Sequence, residues 1–192
     1  MPYSANHKKQ SRERILLSAI DLFCRRGFDQ VSIAQIMQHA EMTHGAFYAH
    51  FSSKVNLYAE AILTAGKHSL LVREGGDLDK AKMRYLVSEY LSMEHVRQEG
   101  YACPLAFLST DVAHRDSQVR ASYEKVFNGM VTRLAEALEA TGKSLQTARA
   151  QAQYLVVTMV GTVSIARSLT DTESQKALLE NSKTSLFAML AD

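Results

Sequence analysis

The chain has 192 residues, of which 46% are hydrophobic, and a formal net charge of +2. That length holds one large or two small domains, and that apolar content excludes a disordered chain. No run of about 18 apolar residues occurs, so no membrane span is expected; two cysteines without a secretory leader argue for a reducing cytoplasm rather than a disulfide framework. Two prolines and nine glycines favour long helices over a turn-rich β fold.

Residues 1–8 read as a tail. Lys8 and Lys9, with Arg12 beyond them, either reach a phosphate backbone or belong to a disordered arm. A first helix is expected over about 9 to 26, with Ile15, Leu16, Ala19, Ile20, Leu22 and Phe23 as its apolar face. Arg25 and Arg26 suit its C-terminus, and Gly27 its C′ position. Phe28 is expected to pack back on the small core, and Cys24 reads as a core residue.

Ser32 with Gln35 forms an S-x-x-Q capping box, and Val31 with Ile36 the hydrophobic staple around it. Ile33, Ile36, Met37 and Ala40 then share one helical face, which ends near His39 or Ala40. Thr43 reads as a second N-cap, with Met42 and Phe47 as its staple pair, opening a short helix over about 44–50. Two capped short helices joined by a four-residue turn match helix-turn-helix geometry, with the second as the recognition helix.

The stretch Met42-Thr43-His44-Gly45-Ala46-Phe47-Tyr48-Ala49-His50-Phe51-Ser52-Ser53-Lys54 resembles the DNA-reading segment of the tetracycline-repressor (TetR) family. Hydroxyl residue, glycine, tyrosine, phenylalanine and lysine all stand at that family's spacing. One position departs. The family has glycine in the turn where this chain has Glu41, and a left-handed backbone there costs a glutamate roughly 1 kcal/mol.

A fourth helix is expected from Ser53 or Lys54 to about 72, bridging module and body, with Glu74-Gly75-Gly76-Asp77 as the clearest break in the chain. A fifth is expected over 78–98. Pro104 opens a sixth, to about Ala113, and a seventh runs from about Ser117 to Ala140. The eighth, about 145–168, is apolar on more than one side: Leu155, Val156, Val157, Met159, Val160, Val163 and Ile165 cannot all face one core. Such a helix is buried on both sides, and the second cover is expected to be another subunit. The ninth spans about 173–190. The resemblance implies the same, since the last two long helices of TetR-like regulators pair with their dimer mates as a four-helix bundle.

The expectation is therefore an all-α, dimeric protein of nine helices or so: a three-helix helix-turn-helix module, then a larger C-terminal helical bundle. Residues 1–54 are assigned to DNA binding and 55–192 to ligand sensing and dimerisation. The first 54 residues carry seven Lys or Arg against four Asp or Glu, a net +3, which suits a phosphate-facing module as well as a plain solvated surface. The resemblance implies a repressor that holds an inverted-repeat operator as a homodimer, through about 145–168 and 173–190, and lets go on binding a small molecule. Ser32, Thr43, Tyr48 and Lys54 suit phosphate contacts. Gly45 allows close approach. His44, Ala46 and His50 suit base edges or thymine methyls. Phe47 and Phe51 read as core.

The expected effector lining is Tyr85, Tyr90, Met93, Cys103, Phe107, Tyr123, Phe127, Tyr154, Thr158 and Met159, suited to an apolar or aromatic ligand, although each such residue is more often plain core. Cys103 stands just before a helix-opening proline, where the positive dipole end favours a reactive thiolate. It is either a sensor of electrophiles or oxidants, or a small residue filling the bend. No metal-ligand spacing, phosphate loop or dinucleotide fingerprint occurs, so neither cofactor nor metal nor enzymatic activity is expected. The alternative kept open is a regulator-like protein that acts through a protein partner.

Overall fold

The computed structural model describes residues 5–73, 76–100 and 102–191. The start of the expected tail, Glu74 and Gly75 of the expected break, and Tyr101 before Cys103 lie outside the described residues. Among the described residues all regular structure is helical: α1 (Ala5–Arg26), α2 (Ile33–His39), a 3-10 helix (His44–Ala49), α3 (Lys54–Lys67), α4 (Leu70–Arg73), α5 (Lys80–Tyr90), α6 (Met93–Val96), α7 (Pro104–Ala113), α8 (Ser117–Glu139), α9 (Leu145–Ser168) and α10 (Thr172–Ala191). None of them is long and apolar enough to cross a membrane.

The chain forms two compact units. One comprises the residues up to His68 together with Ala102–Val126; the other comprises Ser69–Tyr101 and Phe127–Asp192. The first unit therefore extends beyond residue 54 to take in α3 and α7. Its core explains why. Ile15, Ala19 and Phe23 of α1, Ile36 of α2, Phe47 of the 3-10 helix and Leu57, Tyr58 and Ile62 of α3 are all fully buried in one cluster, and Leu108 and Val112 of α7 belong to it. Phe23, Phe28 and Tyr58 meet as aromatic neighbours, with ring centroids 4.6 to 5.7 Å apart. Gly66 costs α3 some helical preference but lets it lie close to α8: a Cβ there would stand 2.9 Å from Cγ2 of Val126.

In the second unit α9 packs on α10, α6 and α5, and α10 also packs on α5. Ala148, Ala152, Leu155, Val156, Met159, Val163 and Ala166 form the buried stripe of α9. Thr162 donates a hydrogen bond to Ser182 across the α9–α10 contact (2.9 Å). Gln175 donates its side-chain amide to the carbonyls of Ala166 and Leu169, closing the C-terminus of α9.

Four elements differ from the sequence expectation. The first helix begins at Ala5, inside the expected tail, rather than at about 9. The fourth expected helix stops at Lys67 instead of running to about 72, with His68 as C-cap beside the helix-weakening Gly66. The fifth is broken in two, because Leu91 leaves the helical region (ψ 53) and Ser92 caps a new start by accepting from the His95 N–H. The recognition segment is a 3-10 helix rather than an α-helix. Thr43 makes no side-chain cap there, and the i→i+3 bonds from Ala46 to Thr43 and from His50 to Phe47 tighten the turn.

Candidate nucleic-acid interface

The reading segment is held from behind. The Ser32 hydroxyl oxygen accepts from the Gln35 N–H (3.2 Å), while the Gln35 side chain accepts from the Ser32 N–H (2.8 Å), completing the expected capping box. At the other end of α2, the Met42 N–H reaches Met37 O (2.8 Å) and the Glu41 N–H reaches Gln38 O (3.0 Å), the paired bonds of a Schellman ending. Such an ending needs a left-handed residue, and Glu41 supplies it at φ 54°. Arg14 of α1 offsets the strain. Its guanidinium donates to Ala40 O (2.6 Å) and to the Glu41 carboxylate (3.3 Å).

Phe47 is fully buried and Phe51 nearly so, so the 3-10 helix is bolted to the core by its apolar residues. What remains outside is the expected set. Ser32, Thr43, His44 and Gly45 are exposed, Ala46 is half-buried, and Tyr48 stands 65% exposed. The Tyr48 ring is braced edge-on by Phe47 (5.1 Å) and meets His44 (6.3 Å). A Cβ on Gly45 would meet nothing within 4 Å, so nothing within the protein requires glycine there.

His50 and Lys54 are placed differently from the other candidates. The His50 ring is half-buried and its Nδ1 is fully buried without a hydrogen-bond partner. Burial, then the charges of Lys8 and Arg12, hold its pKa below the ordinary value. Lys54 turns inward. Its Nζ donates to Phe28 O at 2.5 Å and stands 4.0 Å from the centre of the Phe28 ring. One of its three donors is thereby used inside the protein, and burial lowers its pKa.

Several polar contacts of this unit carried no signal in the sequence. Arg12 pairs with Glu60 and lies 4.8 Å from the centre of the Phe51 ring. Asp111 of α7 accepts from the Tyr58 hydroxyl (2.6 Å), the Phe28 N–H (3.4 Å) and the Arg115 guanidinium (2.7 Å). Arg115 also clasps Asp29 with two bonds (3.1 and 2.7 Å). Burial pushes the Asp111 carboxyl up, but the bonds from Arg115 and Tyr58 outweigh it and hold it below the usual carboxylate range. The Arg115 bond likewise lowers Asp29. Burial, then the bond to Asp111, keeps the Tyr58 phenol protonated.

The expected effector residues are divided between the two units. Cys103, Phe107 and Tyr123 lie in the first unit, all half-buried. Cys103 occupies the N-cap position of α7 ahead of Pro104, without a side-chain cap bond. Tyr123 donates to Leu105 O (2.8 Å), and burial, then the neighbouring Cys103, pushes its phenol up to about 12. Neither Cys103 nor Cys24 is in a disulfide. In the second unit Tyr90, Met93, Phe127 and Thr158 are half-buried and Met159 is buried, but Tyr85 and Tyr154 point to solvent, 45% and 56% exposed. An open groove of about 410 Å³ runs along the start of α9, lined by Leu145, Gln146, Arg149, Ala150 and Gln153. None of the expected lining residues borders it. Among the described residues no cluster could hold a metal ion.

Comparison with known proteins gives two family matches. The model for bacterial regulatory proteins of the tetR family matches residues 15–61, and that for the LmrA/YxaF-like transcriptional regulator C-terminal domain matches residues 82–180. The HTH-type transcriptional repressor NemR of Escherichia coli (strain K12) is 27% identical over 191 residues, covering 89% of this chain and 92% of that protein. The uncharacterized HTH-type transcriptional regulator TtgW of Pseudomonas putida is 33% identical over 67 residues, 35% of this chain and 49% of the relative. Among solved structures, the reduced form of E. coli NemR superposes with a TM-score of 0.75 at 21% identity, covering 92% of this chain and 95% of that one. A TetR transcriptional regulator from Legionella pneumophila superposes with a TM-score of 0.74 at 18% identity, over 98% of this chain and 99% of that one.

Proposed function

The chain belongs to the tetR family of bacterial regulatory proteins, with an LmrA/YxaF-like C-terminal domain, and is a DNA-binding transcriptional regulator; from that premise we propose that it is a repressor that holds an inverted-repeat operator as a homodimer and releases it on meeting a small apolar, aromatic or electrophilic effector. Regulators of this family are not enzymes. The single observation that carries the reading is the exposed row His44, Gly45 and Tyr48 on a short helix whose other side is fixed in the core.

Residues 1–54 carry the reading and 55–192 the sensing and pairing. Ser32, Thr43, Tyr48 and the remaining donors of Lys54 meet phosphates; His44, Ala46 and His50 meet base edges; Gly45 lets the helix start approach the groove. Pairing runs through α9 and α10. Tyr154, Val157 and Ile165 stand 56 to 58% exposed at helical spacing on the outer face of α9, the kind of apolar stripe a second copy covers. NemR, a repressor, was solved in a form described as reduced. That description concerns NemR, but with Cys103 at the start of α7 it supports the electrophilic arm of the proposal here.

The test is recovery of genomic fragments retained by the purified protein, followed by gel shift on the shared site. We expect an inverted repeat. Retention of random DNA with no common site would sink the operator reading. Gly45→Ala is expected to leave the fold unchanged and weaken operator binding, because the added methyl meets only DNA. Lys54→Ala is expected to reduce the salt slope by about 1. Cys103→Ser that still releases operator normally with an electrophile removes the thiol from the mechanism.

A further inference from the structure

The turn between α1 and α2 is gripped by α7, a helix nearly fifty residues beyond the reading segment. Phe28 is held through both of its backbone polar groups: its N–H donates to Asp111 and its carbonyl accepts from Lys54. Its ring also lies beside two cations, Lys54 at 4.0 Å and Arg115 at 4.6 Å. The next residue, Asp29, is clasped bidentately by Arg115. The residue before, Gly27, adopts φ +76°, and a Cβ there would lie 3.6 Å from the Asp111 carboxylate. On its other oxygen Asp111 takes the hydroxyl of Tyr58, a fully buried residue of α3. One carboxylate thus receives donors from the α1–α2 turn, from α3 and from Arg115 in the turn that follows its own helix.

Apolar packing alone would hold these elements together. Directional bonds to a charged acceptor do something packing does not: they fix the orientation of one segment against another. The segment fixed here leads directly into Val31, Ser32 and α2, and so into the reading helix. We propose that Asp111, with Arg115 as its bridge to Asp29, is a positioning residue for operator binding: it sets the α1–α2 turn and α3 against α7 and thereby the presentation of the reading segment. It touches no DNA itself. Asp111 stands eight residues from Cys103, about 12 Å along a rigid helix, so an event at the start of α7 has a direct mechanical arm to the turn.

The affinity readout rests on the DNA-binding reading; the exchange readout does not. The probe is a fluorescein-labelled duplex bearing the inverted repeat recovered with the wild-type protein, titrated at several salt concentrations and below the melting temperature, with the binding-competent fraction fixed by stoichiometric titration. Asp111→Asn keeps the shape and removes the charge. It is expected to weaken operator binding roughly tenfold with the wild-type slope of log Kd against log salt, since no phosphate contact is lost. Tyr58→Phe in the same background is expected to add little, because the two residues share one bond. Without DNA, amide exchange in residues 27–31 is expected to accelerate in the variant. Wild-type affinity in folded Asp111→Asn, or a salt slope shallower by about 1, would overturn the proposal, as would unchanged exchange in the turn. If Asp111→Asn does not fold, Arg115→Lys, which keeps the charge and loses the fork onto Asp29, is judged by the same three criteria. A wild-type protein that retains no operator defeats the DNA-binding reading instead, and the exchange measurement then decides the clasp alone.

Discussion

The two units are held together by different means. In the first, α1, α2, α3 and α7 are cross-tied by charged side chains: Arg12 to Glu60, Arg14 to the end of α2, and Arg115 between Asp29 and Asp111. In the second, the charged ties between helices reach backbone carbonyls rather than carboxylates, Arg84 to Phe187 O and Arg167 to Val96 O, while α9 and α10 are joined by the Thr162–Ser182 bond and the Gln175 cap. The second unit also leaves Tyr154, Val157 and Ile165 exposed on α9. A reading head must hold a small set of side chains at defined angles, and directional bonds achieve that. A pairing surface must instead keep apolar area uncovered until a second copy arrives, and charged ties on that face would oppose it.

The largest expected effect comes from removing the centre of the first unit. Phe23 is fully buried and meets both Phe28 and Tyr58. Phe23→Ala should cost about 3–5 kcal/mol, read by urea unfolding. A loss below about 1 kcal/mol would show that the aromatic cluster is loose and that the charged ties carry the unit.

Next comes the exposed stripe of the second unit. Ile165→Glu lies on the outer face of α9, so the single chain should keep its melting behaviour within roughly 0.5 kcal/mol. Under the proposed pairing, self-association should weaken by about a hundredfold or more, because an unpaired carboxylate would be buried between copies. Sedimentation equilibrium reads this. Unaltered association would move the pairing surface away from this face and break the contrast drawn between the units.

A smaller effect is linked to pH and confined to the first unit. The His50 pKa is lowered in the folded state by burial and by Lys8 and Arg12. Below about pH 6.5 the unfolded chain takes up a proton that the folded chain resists, so His50 supports the fold above that value and the support is lost as pH falls through its lowered pKa. Thermal melts from pH 7.5 to 5 should show the first unit weakening, and His50→Gln should flatten that dependence. Asp29 and Asp111 work lower on the scale. Their pKa values are held down in the fold, so their contribution is present above about pH 4 and lost below it.

What the sequence disclosed follows the reach of its signals. The capping box at Ser32 and the row His44, Gly45 and Tyr48 are local patterns, and the structure forms that box and leaves that row exposed. The Asp111 network is not local. Its bonds to Tyr58 and Phe28 span 53 and 83 residues, and Arg115 reaches Asp29 across 86, separations over which no spacing rule operates. The same limit hid the membership of α7 in the first unit. The break after Tyr90 was legible in principle, because Ser92 followed by Glu94 is an N-cap with an acidic first turn. It was obscured by an apolar pattern that continues in phase across the break. Lys54 was read from its place in a motif, whereas its nitrogen is drawn to Phe28 O, a carbonyl whose position only the fold determines.

The smallest expected effect concerns Glu41, the residue that stands where related turns have glycine. Its φ of 54° costs a non-glycine side chain about 1 kcal/mol. The compensation is visible. Arg14 reaches both the Ala40 carbonyl and the Glu41 carboxylate, but the latter pair is exposed on both sides, and such pairs contribute at most a few tenths to 1 kcal/mol. Glu41→Gly removes the strain and keeps the Arg14 bond to Ala40, although a glycine also gains freedom in the unfolded chain. The net expectation is a gain of up to about 0.5 kcal/mol, measured by urea unfolding. Arg14→Ala should lose about 1 kcal/mol, since it frees the last carbonyl of α2. If Glu41→Gly is instead destabilising, the Arg14–Glu41 pair outweighs the strain, and the charged ties of the first unit extend to the reading turn itself.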